Sequence, residues 1–407
     1  MNRLVLIGNG FDLAHGLNTR YEDFINWYWE QKINEFVHEL TNISQDNLCI
    51  FKLLDGSFWS SYVMPILRSY PRPTNIEVIQ HIFKDKQCCK IIPCPFFVNI
   101  LQSIGTRNWV DIENEYYDLL KDYVLEEDGE CKVDELNGQL RFLQDKLVEY
   151  LSGIEIKENI IRRDIRPKIY APIKPSDIAI GGQDSLKGHV KARLNLDSRE
   201  LENRVSQYAS ISYSNGRVEG FKKTFSESGE IDWEIVPKEL LLPNQILFLN
   251  FNYTKTAQFY CMNAPIFNVI QIHGEIEKPS SVIFGYGDEL DEDYKKIMNK
   301  NDNRYLGNIK SVKYLESDNY RKVLSFIEAE PYQILIMGHS CGNSDRTLLN
   351  TLFEHKNCVS IKPYYYKDME TGKDNYLELV QNISRNFKDM KLMRDRVVNK
   401  TFTEPLT

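Results

Sequence analysis

Four places in this chain combine residue types and settings that suit chemistry. Gly8-Asn9-Gly10 sits between an apolar run and a helix-like stretch. Two later apolar runs end in Asn252-Tyr253-Thr254 and in His273-Gly274, and a third ends in Gly338-His339-Ser340 with Asp345 close behind. A glycine pair between strand and helix aims backbone amides and a helix dipole at a phosphate; the first glycine permits the tight turn and the second lets a ligand approach the backbone. Asn252 both donates and accepts, which suits a ribose hydroxyl or a water, and His273 titrates near neutrality as a general base must. Asp12 would repel a phosphate, so it either caps the helix or faces a ribose hydroxyl. His15 and Arg20 are candidates to meet a phosphate, against the reading of each as a surface residue.

Two familiar readings of these motifs fail on their own terms. A dehydrogenase fingerprint needs a third glycine at position 13, where Leu13 stands, and an acidic residue closing a second strand. Gly338-His339-Ser340-Cys341-Gly342 fits the spacing of a hydrolase nucleophile elbow, yet only His355 follows Ser340, on what reads as the next helix.

The elements that must position these residues are strands at the two ends of the sequence. Arg3 to Ile7, Gln245 to Asn250 and Gln333 to Met337 are short, apolar and end at Gly or Asn, as buried parallel strands do, and Ile266 to Ile272 and Cys358 to Ile361 are two more. This predicts an α/β fold whose parallel sheet is assembled from residues 1–29 and 243–407 across a long, largely helical insertion, residues 30–242. Trp109 to Val124 and Leu136 to Leu151 have amphipathic helical spacing, Pro65, Pro71, Pro73, Pro93 and Pro95 break the earlier helices, and Asp164 to Trp233 reads as mixed, partly flexible chain. Glu113, on an acidic helix, is expected to be solvated.

Composition bounds the function. The 407 residues are 42% hydrophobic, enough for more than one packed unit. A formal charge of -8 argues against a nucleic-acid scaffold, whose affinity comes from clustered Lys and Arg. No apolar run reaches membrane-spanning length, and Gly8 interrupts the opening run before a secretory segment forms, so the cytoplasm is the expected compartment. Of the cysteines only Cys88, Cys89 and Cys94 cluster, without a chelating second pair, so no metal site is expected.

Leu6-Ile7-Gly8-Asn9-Gly10-Phe11-Asp12-Leu13-Ala14-His15-Gly16-Leu17, with Thr19, Tyr21, Asp23 and Phe24 behind it, resembles the N-terminal signature of AbiH, a bacterial family of abortive phage infection. Trp109-x-Asp111-x-Glu113, Phe251-Asn252-Tyr253-Thr254, His273-Gly274 and Gly338-His339-Ser340 with Asp345 are similar to its later blocks. The same order of motifs resembles the sirtuin-like, Rossmann-type domains of antiphage NAD-hydrolysing proteins. That resemblance implies an NAD site in which Gly8, Gly10 and Phe11 line the dinucleotide, Asp12 belongs to the same loop, Asn252 and His273 are catalytic, and Ser340 and Asp345 contact the cofactor. It implies cleavage of the nicotinamide-ribose bond; a phage-derived trigger and a second copy of the chain are candidate partners, whereas the apolar run lengths and the charge of -8 give no expectation of a membrane or nucleic-acid partner. The chain departs from that pattern in three ways: Asp12 stands where a small residue is common, Thr254 replaces the Asp of the usual Asn-x-Asp, and the zinc ribbon of protein deacylases is absent. The competing expectation is a module that binds the nucleotide as a signal without hydrolysing it.

Overall fold

The computed structural model describes residues 1–38, 43–54, 89–107, 111–126, 128–156, 160–208 and 211–407. The chain divides into two compact units: Met1–Leu17, Ile156–Ile283 and Lys313–Thr407 form the first, and Asn18–Glu155 with Phe284–Val312 form the second.

Among the described residues the strands are β1 (Asn2–Ile7), β2 (Ile43–Gln45), β3 (Cys49–Leu53), β4 (Cys89–Pro93), β5 (Ile246–Asn250), β6 (Phe267–Gln271), β7 (Tyr332–Met337) and β8 (Cys358–Tyr364). The first unit is built on an all-parallel sheet in the order β6-β5-β1-β7-β8. By position in the chain that order reads third, second, first, fourth, fifth, so β1 is central and the connections leave it in opposite directions. Each strand expected from the sequence is present within a few residues of its predicted bounds. They form because β1, β5, β7 and β8 are buried along their whole length, the situation that continuous Val, Ile and Leu runs serve.

Side chains alternate between two cores. One face of the sheet (Val5, Ile7, Phe248, Leu335, Met337) packs against Ile165, Ile169, Leu186, Val190, Leu194, Leu201, Val205 and Phe221. The other (Leu4, Leu6, Leu249, Ile334, Ile336) packs against helices Asn319–Ala329, Arg346–Glu354 and Tyr376–Arg385. The first of these layers departs from expectation. Asp164 to Trp233 is ordered into helices Gln183–Leu194, Ser198–Ser206 and Asn215–Ser228 and covers a sheet face, whereas the sequence reading drew the insertion as 30–242. Gly188, Gly216 and Gly220 and the many charges dilute the helical pattern there, and the buried positions are spread over three short helices. Residues 18–29, by contrast, group with the second unit.

That second unit holds helices Tyr21–His38, Pro95–Arg107, Ile112–Leu125 and Gly129–Ser152 and a small antiparallel sheet, β2-β3-β4. The two helices predicted at Trp109 to Val124 and Leu136 to Leu151 correspond to the third and fourth of these, the third capped by Asp111, whose side chain accepts from the Asn114 N–H. The small sheet has no counterpart in the sequence reading. Glu113 is buried, not solvated: its Oε2 lies 2.7 Å from Lys310 Nζ, and its Oε1 accepts from the Gly285 N–H at 3.1 Å. Pro93 closes strand β4 and Pro95 opens the helix Pro95–Arg107, so neither interrupts a helix as expected; Cys88, Trp109 and the prolines at 65, 71 and 73 lie outside the described residues. Among the described residues no helix is long and apolar enough to cross a membrane.

Candidate functional site

The carboxyl ends of β1, β5, β6 and β7 bring most of the expected site residues to one edge of the first unit. β1 ends at Ile7 and the chain turns at Gly8 into the helix Asn9–Ala14, only six residues long. β7 ends at Met337 and turns at Gly338, whose φ of 76° is left-handed. These two turns lie backbone against backbone. A Cβ on Gly8 would stand 2.5 Å from His339 Cα, one on Gly10 2.9 Å from Gly338 Cα, and one on Gly338 2.0 Å from Phe11 N.

The glycines are therefore needed for contact between the two turns. The Gly10 N–H donates to Gly338 O at 2.8 Å and the Phe11 N–H to Gly8 O at 2.8 Å, so two of the amides expected to cradle a phosphate are already engaged. The Phe11 ring, expected beside a dinucleotide, is fully buried in the core, 4.7 Å from the His15 ring and 5.2 Å from that of Tyr260. His15 bonds Phe11 O and the Tyr260 hydroxyl, each at 2.6 Å, and burial lowers its pKa. It is thus a brace for this turn.

Asn252 ties β5 to the glycine turn, its Nδ2 donating to Gly8 O at 3.0 Å. Asp12 lies in the same knot. Its Oδ2 accepts from Thr254 Oγ1 at 2.6 Å, and its Oδ1 is buried without a hydrogen-bond partner. Asp12 makes no side-chain cap at the helix start. Burial raises its carboxyl to about 6, opposed by the hydroxyls of Thr254 and Thr256 and the amide of Asn252.

A second knot lies around His273. Its Nε2 is 3.2 Å from Asp345 Oδ1 and 3.2 Å from the Tyr314 hydroxyl. Asp345 Oδ2 also lies 3.6 Å from His339 Nε2. His339 Nδ1 accepts the Cys341 N–H at 2.9 Å, which leaves the ring proton on Nε2 facing the carboxylate. Phe251 is wedged edge-on between the two imidazoles, 5.2 Å from His273 and 4.1 Å from His339. Both histidines and Asp345 are buried. A carboxylate that receives one imidazole orients it and stabilises its protonated form, the arrangement a general base requires.

The structure thus joins Gly8, Gly10, Asp12 and Asn252 in one knot and His273 with Asp345 in another, bridged by the contact of Gly8 with His339. Asp345 supports the imidazole that was expected to act beside it. Ser340 stands apart: its side chain is exposed and its carbonyl accepts from Asn382 Nδ2 at 3.0 Å. His355, the only histidine downstream of Ser340, pairs with Glu328 at 3.2 Å, beside the start of β8, so among the described residues no hydrolase triad forms around that serine. Sequence reasoning missed His339, Tyr314 and Thr256. His339 was visible as part of a glycine turn, Thr256 sat two positions past a noted motif, and Tyr314 lies in no motif.

Among the described residues no group of three or more His, Cys, Asp or Glu is placed to hold a metal ion. No curated protein matches the chain. The family described as bacteriophage abortive infection AbiH matches residues 4–178 and 182–366, a span containing every site residue above, and the chain belongs to that family.

Proposed function

We propose that this protein serves antiphage defence in the cytoplasm by binding NAD or a close relative at the carboxyl edge of its parallel sheet and hydrolysing the nicotinamide-ribose bond. The reading takes the first unit as a Rossmann-type, sirtuin-like domain. Its support is the strand order, third-second-first-fourth-fifth, which matches the doubly wound arrangement whose ligands sit where the order reverses. The observation that carries it is the His273–Asp345 pair at 3.2 Å beside the Asn252-tethered glycine turn. A phage component as trigger and a second copy of the chain are the partners this reading assigns.

In the reaction the C1′–N bond breaks with its electron pair leaving on nicotinamide, and water forms the new C1′–O bond while its proton passes to His273. Asp345 holds the resulting imidazolium, and Asn252 orients the water or a ribose hydroxyl. General-base help of this kind is worth about a hundred- to ten-thousand-fold. Asp12 keeps one buried oxygen unpaired, and this reading assigns it to a ribose hydroxyl.

A second reading, a nucleotide sensor without turnover, is favoured by the Gly10–Gly338 bond. Phosphate capture by the Gly10 amide has to exchange that bond, which couples binding to movement of the β7 turn. Purified protein incubated with NAD separates the two, with free nicotinamide followed by chromatography. Release that His273→Ala lowers at least a hundredfold, with the melting temperature retained, supports hydrolysis; NAD retained without release supports the sensor; neither binding nor release removes both.

A further inference from the structure

The sheet face beneath residues 165–242 carries a polar row where a buried parallel sheet is ordinarily apolar. Arg3 on β1 and Gln333 on β7 are register partners, and Gln333 pairs with Ser360 on β8. Arg3 Nη2 donates to Gln333 Oε1 at 3.0 Å and Gln333 Nε2 to Ser360 Oγ at 3.2 Å. Arg3 Nη1 takes the carbonyls of Ile169 and Ala171 at 2.8 and 2.6 Å. Three of the five guanidinium donors are thereby used; Nε has no partner, and none of the bonds reaches a carboxylate. Arg3 is 2% exposed.

This guanidinium forms part of the wall of a cavity of about 310 Å³, with Lys168, Lys362, Asp177 and Tyr364. Two of those charges cancel, because Lys362 Nζ lies 2.9 Å from Asp177 Oδ2. Lys168 Nζ donates to the carbonyls of Pro405 and Leu406, both at 2.8 Å, and to no carboxylate. Asp164, on the rim, is already matched by Arg162 at 2.8 Å. The wall also holds Lys174 and Glu404, and Glu404 acts on Lys168 through its field without forming an ion pair. Arg3 and Lys168 therefore face one cavity without a direct ion-pair partner, and burial lowers the pKa of both. A clamp holding Ile169 and Ala171 to the sheet accounts for part of Arg3; it accounts neither for the cavity nor for Lys168. A buried cation without a carboxylate partner, as Arg3 is, is costly, and an anion seated between it and the half-buried Lys168 offsets that cost.

We propose that this cavity is a binding site for a small molecule with a compact oxyanion head, a phosphate or a carboxylate, held by Arg3 and Lys168. The volume falls at the low end of small-molecule sites, about 300–1,000 Å³, which suits a metabolite-sized anion rather than a dinucleotide. Its residues include none of Gly8, Gly10, Asn252, His273 and Asp345, so the site stands or falls independently of NAD hydrolysis.

The test is calorimetric titration and thermal melting of the full chain with orthophosphate, glycerol 3-phosphate and succinate, at ionic strength held constant with chloride. Saturable single-site binding of at least one of them is expected, weakened tenfold or more by Lys168→Gln and unchanged by His273→Ala; the preferred anion then distinguishes a phosphate from a carboxylate ligand. Arg3→Gln should abolish binding, and if that variant does not fold, Lys168→Gln alone decides. Melting shifts no larger than chloride gives, or saturable binding indifferent to Lys168→Gln, overturn the proposal and leave a water-filled cavity.

Discussion

Asp12 is the residue whose chemistry is most sensitive to conditions. Burial raises its carboxyl to about 6 from the ordinary 3.8. The folded state therefore binds this proton more tightly than the unfolded chain does. Stability from this group is fully present below pH 3.8, is lost as pH rises through about 6, and stays lost above it. Asp12→Asn removes the ionisation and keeps an acceptor for Thr254, so it should stabilise the protein at pH 8 by up to about 3 kcal/mol and by nothing near pH 3.5. Chemical denaturation of wild type and variant across that range tests it; a gain independent of pH would mean that Asp12 does not titrate as its surroundings dictate. If the carboxylate also meets a ribose hydroxyl, the stabilised variant loses activity, the usual exchange at a functional site. At this scale the sequence was half legible. Asn252 and His273 were readable as polar residues following apolar strands, and Asp345 only as part of a family motif; the structure brings Asp345 to His273 and ties Asn252 to the glycine turn. Phe11 could not be assigned correctly from the motif alone, because whether the ring after a glycine turn points to ligand or core depends on Tyr260 and His15, the former some 250 positions away.

Between elements, the turn after β1 fits tightly against the turn after β7. Gly338 has a φ of 76°, and a Cβ there meets Phe11 N at 2.0 Å, so Gly338→Ala suffers both backbone strain and collision. A loss of about 3 kcal/mol or more follows, readable as a lower denaturant midpoint. Gly16, also left-handed but with nothing within 4 Å of its missing Cβ, should tolerate alanine at only about 1 kcal/mol. Equal losses at the two positions would show that the contact between turns contributes little. The sheet strands were the most legible elements, since full burial on both faces leaves unbroken apolar runs. The layer between 165 and 228 was not, because helices of nine to fourteen residues bury only a few positions each and their glycines and charges mask the period. The small antiparallel sheet was hidden for a different reason: β2 has only three residues, mostly exposed, which is too short for alternation to register.

Across the whole molecule, the segment drawn from sequence as part of an insertion is structural to the sheet. Ile165, Ile169, Leu186, Val190 and Leu194 are buried against β1, β5 and β7, so excising residues 160–242 would expose one face of the sheet. The shortened chain should be insoluble or lack a cooperative melting transition, whereas a detachable insertion would leave a folded remainder with a sharp one. The central position of β1 has a further result. Its hydrogen-bonding edges are satisfied by β5 and β7, whose sequences lie roughly 240 and 325 residues further on. At a ribosomal pace of about 5–20 residues per second, the nascent β1 waits roughly ten seconds to a minute for its neighbours. During that interval two sticky strand edges are open, and the burden of guarding them falls on chaperones.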